Sequence, residues 1–344
     1  MMKILVVGAG FSGSTIARIL ADSGYIVEII DRRNHVAGNA FDYINEHGIR
    51  IHRYGPHLFH TSNFEVVNFL SRFTEWIPYK HKVKAMLTDG RLVTLPINRE
   101  TSEAVGKENL IDIFYRPYTK KMWGLDIEQI DREILNRISI RNDNNEYYFP
   151  EDKFQAIPTG GYTKLIENML DHPSITINLN TNLEKNNLSK YLHCFNSMSI
   201  DEFFDNIYGA LPYRSIKFHH HSLPISKIFP VSVVNFTHRE KFTRVTEWKN
   251  LPGHGRNEAF SSLTFEEPCD YSENNFERYY PVKDFNQKNR GLYKKYLLLT
   301  PDNVTFIGRC GLYAYLDMHQ AISSAMSIAE NFIKSDNKSL SLLS

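Results

Sequence analysis

The chain is poor in cysteine. Its 344 residues include three, Cys194, Cys269 and Cys310. They lie far apart, none belongs to a CxxC pair, and an odd number leaves one thiol without a partner. This pattern argues against both a disulfide framework and a thiolate zinc site. We therefore expect the protein to occupy a reducing cytoplasm.

The sequence also lacks an excess of charge of either sign. Lys and Arg together number 40 and Asp and Glu 39, so the formal net charge is +1. Such a chain has no overall field that would attract nucleic acid or an anionic membrane. The first apolar run, residues 4–7, is too short for a signal sequence, and no other run approaches membrane-spanning length. We expect a soluble protein that acts on a small molecule, with neither nucleic acid nor membrane as partner.

Motifs for covalent catalysis by side chains are missing as well. The sequence contains no Gly-x-Ser-x-Gly nucleophile elbow, no Walker phosphate loop and no pair of catalytic cysteines. His219, His220 and His221 are consecutive, and on a strand they would alternate between faces and could not converge on one ion. We expect no bound metal. An organic cofactor is then expected to carry the chemistry.

The N-terminal residues have the pattern of a nucleotide-binding βαβ unit. A buried strand is predicted over residues 3–7, a helix over 14–23 and a second strand over 26–30. The glycine-rich stretch Gly8-Ala9-Gly10-Phe11-Ser12-Gly13 lies between the first strand and the helix, and Asp31 follows the second strand. This order is much more specific than an isolated GxGxxG.

Each element of this unit has a physical role in binding a dinucleotide. Gly8 permits a tight turn, Gly10 lets the backbone approach a pyrophosphate, and Gly13 allows close packing of the helix. The helix N-terminus favours the anion. Asp31 is placed to bind the adenosine ribose.

The residues after Asp31 favour FAD over NAD. Residues 32–40 contain two arginines followed by Gly38 and Asn39, which suits a second approach to the same dinucleotide better than a surface loop would. The expected cofactor contacts from these two stretches are Gly8, Gly10, Phe11, Ser12, Gly13, Asp31, Arg32, Gly38 and Asn39.

Further motifs, in the same order along the chain, resemble those of the UDP-galactopyranose mutases. The resemblance extends from the first strand to the last helix. The motifs are Tyr54-Gly55-Pro56-His57-Leu58-Phe59-His60-Thr61, Tyr118-Thr119-Lys120-Lys121-Met122-Trp123-Gly124, Arg137-Ile138-Ser139-Ile140-Arg141, Tyr147-Tyr148-Phe149, Ile157 to Thr163, Thr243 to Glu247, Tyr279 to Val282, Gly308 to Gly311 and Tyr313 to Met318.

This resemblance implies roles for individual residues. It implies that His57, His60, Arg309, Asp317 and Met318 contact the flavin, and that His60 helps to set its environment during reduction. A hydrogen-bonded structural histidine is the alternative role for His60.

The resemblance also implies a substrate site. Tyr118 and Trp123 would stack on the base, and Tyr148, Tyr280 and Tyr315 would donate hydroxyls to phosphate oxygens. Arg137 and Arg244 would bind the diphosphate, for which the planar guanidinium fork is well suited. With His60 they are the expected catalytic residues. His81 is expected to face the sugar, together with Trp248.

The reaction that the resemblance implies is the interconversion of pyranose and furanose forms of a nucleotide-diphosphate sugar. It requires reduced FAD, whose N5 attacks the anomeric carbon, and hence an external reductant such as NAD(P)H. UDP-galactose is the favoured substrate, with UDP-N-acetylgalactosamine and dTDP-fucose as alternatives. An FAD-dependent oxidoreductase of the amine-oxidase or desaturase type, or a flavin-binding protein without catalysis, are the competing functions.

The chain departs from the family pattern at four places. Ala37 stands where the family usually has glycine, and residues 196–199 replace a Gly-Pro turn. The segment between residues 98 and 118 is shorter than the usual helical insertion, which leaves a homodimer as one open assembly. Residues 248–255 also differ from the galactose enzymes. The change at Ala37 bears on the local geometry at the flavin, whereas those at residues 196–199 and 248–255 put the identity of the sugar in doubt.

The expected fold is α/β. A Rossmann-like FAD-binding domain would comprise residues 1–75, 153–212 and 283–344, with a last helix over 320–333. A small helical domain over 97–150 would carry a mobile substrate loop, residues 124–136, ending at Arg137. An antiparallel substrate sheet would comprise 76–96 and 213–282, including strands over 231–236 and 260–265.

Overall fold

A computed structural model of the chain describes residues 3–129, 140–282 and 287–343. The helices are α1 (Phe11–Asp22), α2 (Phe64–Leu70), α3 (Arg99–Val105), α4 (Arg116–Trp123), α5 (Gly161–Leu170), α6 (Ile200–Phe203), α7 (Lys288–Leu297), α8 (Gly308–Gly311) and α9 (Met318–Leu343). The strands are β1 (Lys3–Val7), β2 (Val27–Ile30), β3 (Asp42–Ile44), β4 (Arg50–His52), β5 (Phe59–Thr61), β6 (Trp76–Pro78), β7 (Val83–Met86), β8 (Leu92–Leu95), β9 (Phe154–Pro158), β10 (Ile175–Asn178), β11 (Tyr191–Asn196), β12 (Tyr213–Leu223), β13 (Val233–Phe236), β14 (Arg244–Glu247), β15 (Ser261–Asp270), β16 (Tyr280–Pro281) and β17 (Val304–Phe306).

A five-stranded parallel sheet in the order β10-β2-β1-β11-β17 organises the first layer. Its central strands are apolar on both faces because both faces are covered. One face packs against helices α1, α5 and α9, where Ile4, Val6, Ile29 and Phe195 are fully buried. The other face packs against α6 and α7. This is the Rossmann-like domain that the sequence predicted.

The βαβ unit itself is confirmed, with shifts at the boundaries of β2 and α1. Strand β1 has the predicted bounds, and β2 begins one residue later than predicted. Helix α1 begins at Phe11 rather than residue 14, because Gly10 already has the extended backbone of an N-cap (φ −81°, ψ −176°). The last three residues of the glycine-rich stretch, Phe11, Ser12 and Gly13, therefore belong to the first turn of the helix.

A seven-stranded sheet in the order β16-β12-β15-β14-β13-β7-β8 forms the second layer. All its pairs are antiparallel except that of β13 with β7. The predicted strand over 231–236 appears as β13, and the one over 260–265 is the start of the longer β15, which pairs with β12 from Ser261 to Asp270. The predicted antiparallel sheet is confirmed.

A short helical unit packs on one end of this sheet. It comprises α3, a π-helical segment over Ile111–Tyr115 and α4. Phe114 and Tyr115 pack with Val83 and Val233 in a common apolar cluster. The strands of both large sheets and this helical unit fall within the segments expected from the sequence, whose exact domain boundaries remain a prediction.

A small three-stranded sheet, β5-β9-β6, joins the two layers. His60, on β5, pairs with Gln155 on β9. This pairing brings the histidine motif close to residues 149–152, which come from a distant part of the chain.

In the described ranges, none of the helices is both long and apolar enough to cross a lipid bilayer. The three cysteines are free thiols. His219 and His220 lie on β12, where they contact Glu267 and Thr264. Among the residues that the structure describes, no group of three His, Cys, Asp or Glu side chains is arranged to hold a metal ion.

Candidate functional site

A cavity of about 300 Å³ opens beside the carboxyl ends of β1 and β2 and the N-terminus of α1. All the predicted cofactor residues except His60 and Asp317 line it. They are Gly8, Gly10, Phe11, Ser12, Gly13, Asp31, Arg32, Gly38, Asn39, His57, Arg309 and Met318. Parallel α/β sheets bind ligands at this end of their strands, where the positive end of the helix dipole lies.

The glycines of this cavity differ in what requires them. A Cβ on Gly13 would overlap the carbonyl oxygen of Gly8, so Gly13 is needed for close packing of the helix on the strand. A Cβ on Gly10 would approach no protein atom more closely than the Cα of Gly38, at 3.6 Å. The protein thus leaves space at Gly10 that its own packing does not use, as expected where a ligand approaches the backbone.

Asp31 is anchored by the turn that it faces. Its Oδ2 accepts a hydrogen bond from the backbone amide of Ala9 at 2.8 Å, and its Oδ1 accepts one from the backbone amide of Arg33 at 2.9 Å. A carboxylate oxygen has more than one lone pair, so each can accept a further hydrogen bond from a ligand hydroxyl. Asp31 therefore orders the glycine turn and presents further acceptor capacity to the cavity.

One rim of the cavity carries ion pairs that the sequence analysis did not identify. Glu277 lies 3.0 Å from Arg32 and 2.7 Å from Arg33, and Arg278 lies 2.7 Å from Glu202. These residues come from three distant segments, so only the fold brings them together.

Two of the four departures from the family pattern also lie at the cavity. Ser197 and Met198 line it, and the Ser197 hydroxyl donates to the Val7 carbonyl at 2.7 Å. Ala37 has a left-handed backbone (φ 68°) and is buried. Since a side chain in that conformation costs about 1 kcal/mol, alanine preserves the local geometry at a small energetic cost.

A cluster of aromatic side chains adjoins the cavity. Tyr280 and Tyr315 stack with their ring centres 5.3 Å apart, and Trp123 lies 6.4 Å from Tyr280. The guanidinium of Arg309 lies 5.1 Å from the centres of both stacked rings. Because Arg309 also lines the cavity, it connects the cavity to these tyrosines.

Arg244, on β14, lies next to this cluster. Its Nε is 2.8 Å from Oε1 of Glu266, a carboxylate that is only 1% exposed. Burial by itself lowers the pKa of Arg244, but the Glu266 carboxylate and the nearby Tyr280 and Tyr118 hydroxyls raise it above its usual value. Glu266 engages Nε, which leaves the outer nitrogens of the guanidinium to bind an anion.

The remaining predicted substrate residues surround Arg244. Burial raises the pKa of Tyr118, whose neighbours include Arg244, Tyr315, Tyr280 and Tyr148. The imidazole of His81 is buried and lies 5.7 Å from the ring of Tyr148. The structure thus brings these residues together, whereas Arg137 lies outside the described residues.

Trp248 does not belong to this group. It is fully buried in a separate apolar cluster, and its Nε1 donates to Thr264 at 2.7 Å. The chain turns into a short 3-10 helix directly after β14 and carries the indole into the core. The expectation that Trp248 faces the sugar therefore has no support in the geometry.

His60 is held by a residue that the sequence analysis missed. Its Nδ1 lies 2.7 Å from Oδ2 of Asp152, and its ring stacks on Phe149 at 3.5 Å. His319 lies 5.7 Å away. A neutral His60 donates from Nδ1 to the carboxylate and keeps Nε2 as an acceptor. Asp152 is 92 residues distant in sequence and could not be recognised from local pattern.

We predict that acid destabilises the protein through its buried histidines. Burial, helped by the positive charge of Arg244, lowers the pKa of His57 to about 4 and that of His81 to about 3, against 6.5 for an exposed histidine. The unfolded chain binds protons first, so this contribution is complete above pH 6.5 and is lost as the pH falls towards 4. The melting temperature should fall over that window.

The variant His81→Gln tests this prediction directly. His81 packs against Tyr79, Tyr148 and the charge of Arg244. Removing its titration should make the decline in melting temperature with acid less steep. An unchanged slope would contradict the assignment of acid sensitivity to the buried imidazoles.

Comparison with known families matches both halves of the chain. A family model described as UDP-galactopyranose mutase matches residues 113–315. A second, described as NAD(P)-binding Rossmann-like domain, matches residues 6–73. The first spans the aromatic cluster and Arg244, and the second spans the glycine turn and Asp31.

Individual proteins match over nearly the whole chain. A probable UDP-galactopyranose mutase from Klebsiella pneumoniae is 34% identical, over 97% of this chain and 95% of its own length. A dTDP-fucopyranose mutase from Escherichia coli is 32% identical, over 98% and 100%. A crystal structure of reduced UDP-galactopyranose mutase superposes with a TM-score of 0.76 at 15% identity, covering 97% of this chain and 96% of that one.

Proposed function

Because this chain belongs to the UDP-galactopyranose mutase family, we propose that it interconverts the pyranose and furanose forms of a nucleotide-diphosphate sugar with reduced FAD as cofactor. It is accordingly an isomerase. The observation that carries the proposal is the position of Arg244 among tyrosines beside the cavity, with Arg309 linking the two.

The cavity fits the dinucleotide part of FAD. The amides at the N-terminus of α1 would receive the pyrophosphate, next to the open space at Gly10. Asp31 would accept hydroxyls of the adenosine ribose. Gly38, whose Cα lies opposite Gly10, would allow a second close approach. Reduced FAD, when bound, would supply an electron-rich nitrogen that can act as a nucleophile towards the anomeric carbon as the diphosphate leaves.

The protein would contribute placement and charge stabilisation. The outer guanidinium nitrogens of Arg244 would bind two oxygens of the departing diphosphate, while the Glu266 carboxylate, 2.8 Å from Nε, pairs with the buried guanidinium charge. We propose Arg137 as a second cation for the same charge. Tyr148, Tyr280 and Tyr315 would donate hydroxyls to the remaining phosphate oxygens. Preorganised donors of this kind can each be worth several kcal/mol.

The aromatic cluster would bind the base of the nucleotide. Tyr118 and Trp123 both pack in the cluster around Ile216 and would stack on a pyrimidine. His81 would face the sugar. UDP-galactose is the first candidate substrate. A dTDP-linked deoxy sugar is the second, because a relative of nearly equal similarity is a dTDP-fucopyranose mutase.

We predict that turnover requires the reduced cofactor and consumes none of it. Protein reconstituted with FAD would be reduced with dithionite and incubated with UDP-galactose, UDP-N-acetylgalactosamine or dTDP-fucose, and the products would be separated by chromatography. A furanose product in many-fold excess over enzyme, with the flavin still reduced at the end, is the expected result.

Other outcomes separate the alternatives. Full turnover by strictly oxidised enzyme would exclude the nucleophilic role of reduced flavin. Stoichiometric oxidation of a substrate, with flavin reduction, would instead identify an oxidoreductase of the amine-oxidase or desaturase type. Oxidised enzyme incubated with NAD(P)H in place of dithionite would test whether NAD(P)H can serve as the electron donor.

A further inference from the structure

Two buried histidines form a pair behind the cofactor cavity. His52 lies at the end of β4, and His254 lies in the segment 248–255, which differs from the family pattern. Their Nε2 atoms are 2.9 Å apart. Both side chains are buried, at 0% and 1% exposure. Only one of two facing nitrogens can carry a proton in such a contact, so the pair must have a defined proton arrangement.

The neighbours of the pair determine that arrangement. Nδ1 of His254 lies 2.9 Å from the Pro252 carbonyl, which can only accept, so His254 carries its proton on Nδ1 and its Nε2 is an acceptor. Nδ1 of His52 accepts the backbone amide of His57 at 3.0 Å, so His52 carries its proton on Nε2. His52 therefore donates to His254, and all four ring nitrogens are satisfied.

This chain of hydrogen bonds ends at the cofactor site. The amide that it holds belongs to His57, whose side chain lines the cavity and whose Nδ1 contacts the Gly55 carbonyl at 2.9 Å. Gly55 has a left-handed backbone (φ 84°), so the turn depends on a conformation that other residues rarely adopt. Nδ1 of His52 accepts the amide of this turn and so restrains its backbone.

We propose that His254 is a positioning residue that acts through His52 to fix the His57 turn against the cofactor. The inference rests on the proposed function, because it is FAD that His57 would face. It assigns a role to a segment that departs from the family pattern. The segment is held in place by close backbone contact: the Arg50 amide donates to the His254 carbonyl at 2.9 Å, and a Cβ on Gly255 would come within 2.6 Å of the Gly48 carbonyl oxygen.

Packing fixes the orientation of both rings. The indole of Trp248 lies 4.8 Å from His52 and is nearly parallel to the ring of His254 at 6.2 Å. Tyr162 covers His52 edge-on at 5.5 Å. The charged groups nearby are Arg50 and Asp42, whose Oδ2 lies 4.0 Å from Nε2 of His52. Neither interrupts the contact between the two rings.

The proton arrangement can be measured without reference to activity. In protein labelled with ¹⁵N-histidine, long-range ¹H–¹⁵N correlation spectra distinguish the two neutral tautomers. We expect His254 to be protonated at Nδ1 and His52 at Nε2. A His52 protonated at Nδ1 would overturn the inference, because that nitrogen could not then accept the His57 amide.

Paired variants test the effect on the cofactor. His254→Leu removes the acceptor and leaves the His52 N–H unsatisfied, whereas the amide oxygen of His254→Gln can accept it. We expect His254→Leu to shift the midpoint potential of bound FAD and to lower kcat about ten-fold, with KM for the nucleotide sugar little changed. His254→Gln should restore both properties to near wild type.

Ile157→Val is the matched control for loss of packing. Ile157 is buried in the same apolar cluster as Trp248 but bonds to neither histidine. It should lower the melting temperature and leave the flavin potential unchanged. A wild-type potential in His254→Leu, or an equal shift in Ile157→Val, would overturn the positioning role. Wild-type protein that binds no FAD would instead refute the proposed function. The tautomer spectra would still show whether His52 and His254 have the inferred proton arrangement.

Discussion

Replacement of Arg244 by alanine is expected to lower turnover about 10²- to 10³-fold, the usual effect of removing a preorganised donor from developing negative charge. The structure adds a complication, because Glu266 is 1% exposed and Arg244 is its partner. Breaking a buried ion pair by removing one member costs about 3–5 kcal/mol, since the other charge is left uncompensated. The variant would therefore lose stability as well as activity.

Two further variants separate these effects. Combining Arg244→Ala with Glu266→Gln removes the uncompensated carboxylate, and it should restore the melting temperature but not the turnover. Arg244→Lys keeps a cation beside Glu266 but loses the planar fork, so it can neutralise one phosphate oxygen without holding two. We expect partial activity from lysine, with FAD retained in every variant.

The measurements are kcat and kcat/KM of the reduced enzyme, flavin content and melting temperature. Arg116→Ala is the control, because Arg116 is a surface arginine paired with Asp112 and Glu128. It should change turnover little. Near-wild-type rates for both Arg244→Ala and Arg137→Ala, on every nucleotide sugar tested, would contradict the proposed role of the two arginines in stabilising the departing diphosphate.

Gly10→Val is expected to abolish flavin binding while leaving the protein folded. Gly10 has an extended backbone that valine adopts readily. An added Cβ would lie 3.6 Å from the nearest protein atom, the Cα of Gly38, which is an ordinary van der Waals contact. The isopropyl group would instead occupy the cavity where the backbone must approach the pyrophosphate. The purified variant should be colourless, with a melting temperature close to that of the cofactor-free wild type.

Two other glycines provide the comparison. Gly13→Ala would place its Cβ on the Gly8 carbonyl oxygen, so it should damage folding itself. Gly291→Ala, on α7, has no heavy atom within 4 Å of the added carbon and should keep full flavin content. A wild-type ratio of FAD to protein in Gly10→Val would contradict the location of the dinucleotide.

Local pattern was sufficient for the parts of the site that are contiguous in sequence. The glycine turn, Asp31 and the two flanking strands follow one another within about one βαβ unit, and each follows from periodicity or turn chemistry. The resemblance to a known family then supplied Arg244 and the tyrosines. The fold brings them together although β14, which carries Arg244, and β16, which carries Tyr280, are separated by β12 and β15 in the sheet.

Partners across strands could not be predicted in this way. Arg244 meets Glu266 because β14 pairs with β15 in the register that sets these two residues opposite each other. A shift of one residue would turn the carboxylate to the other face. Asp152, Glu277 and His254 were missed for the same reason: each reaches the site through tertiary pairing that leaves no trace in the local sequence.

The order of strands in the parallel sheet has a consequence for the newly made chain. Strand β1 is translated first, yet its neighbour β11 begins at Tyr191 and the outer strand β17 at Val304. Arg309 and Met318, which line the cofactor cavity, are made later still. Pairings this distant in sequence are slow to form and leave apolar edges exposed meanwhile. The ribosome must therefore release the chain at least as far as Met318 before all the walls of this cavity can assemble.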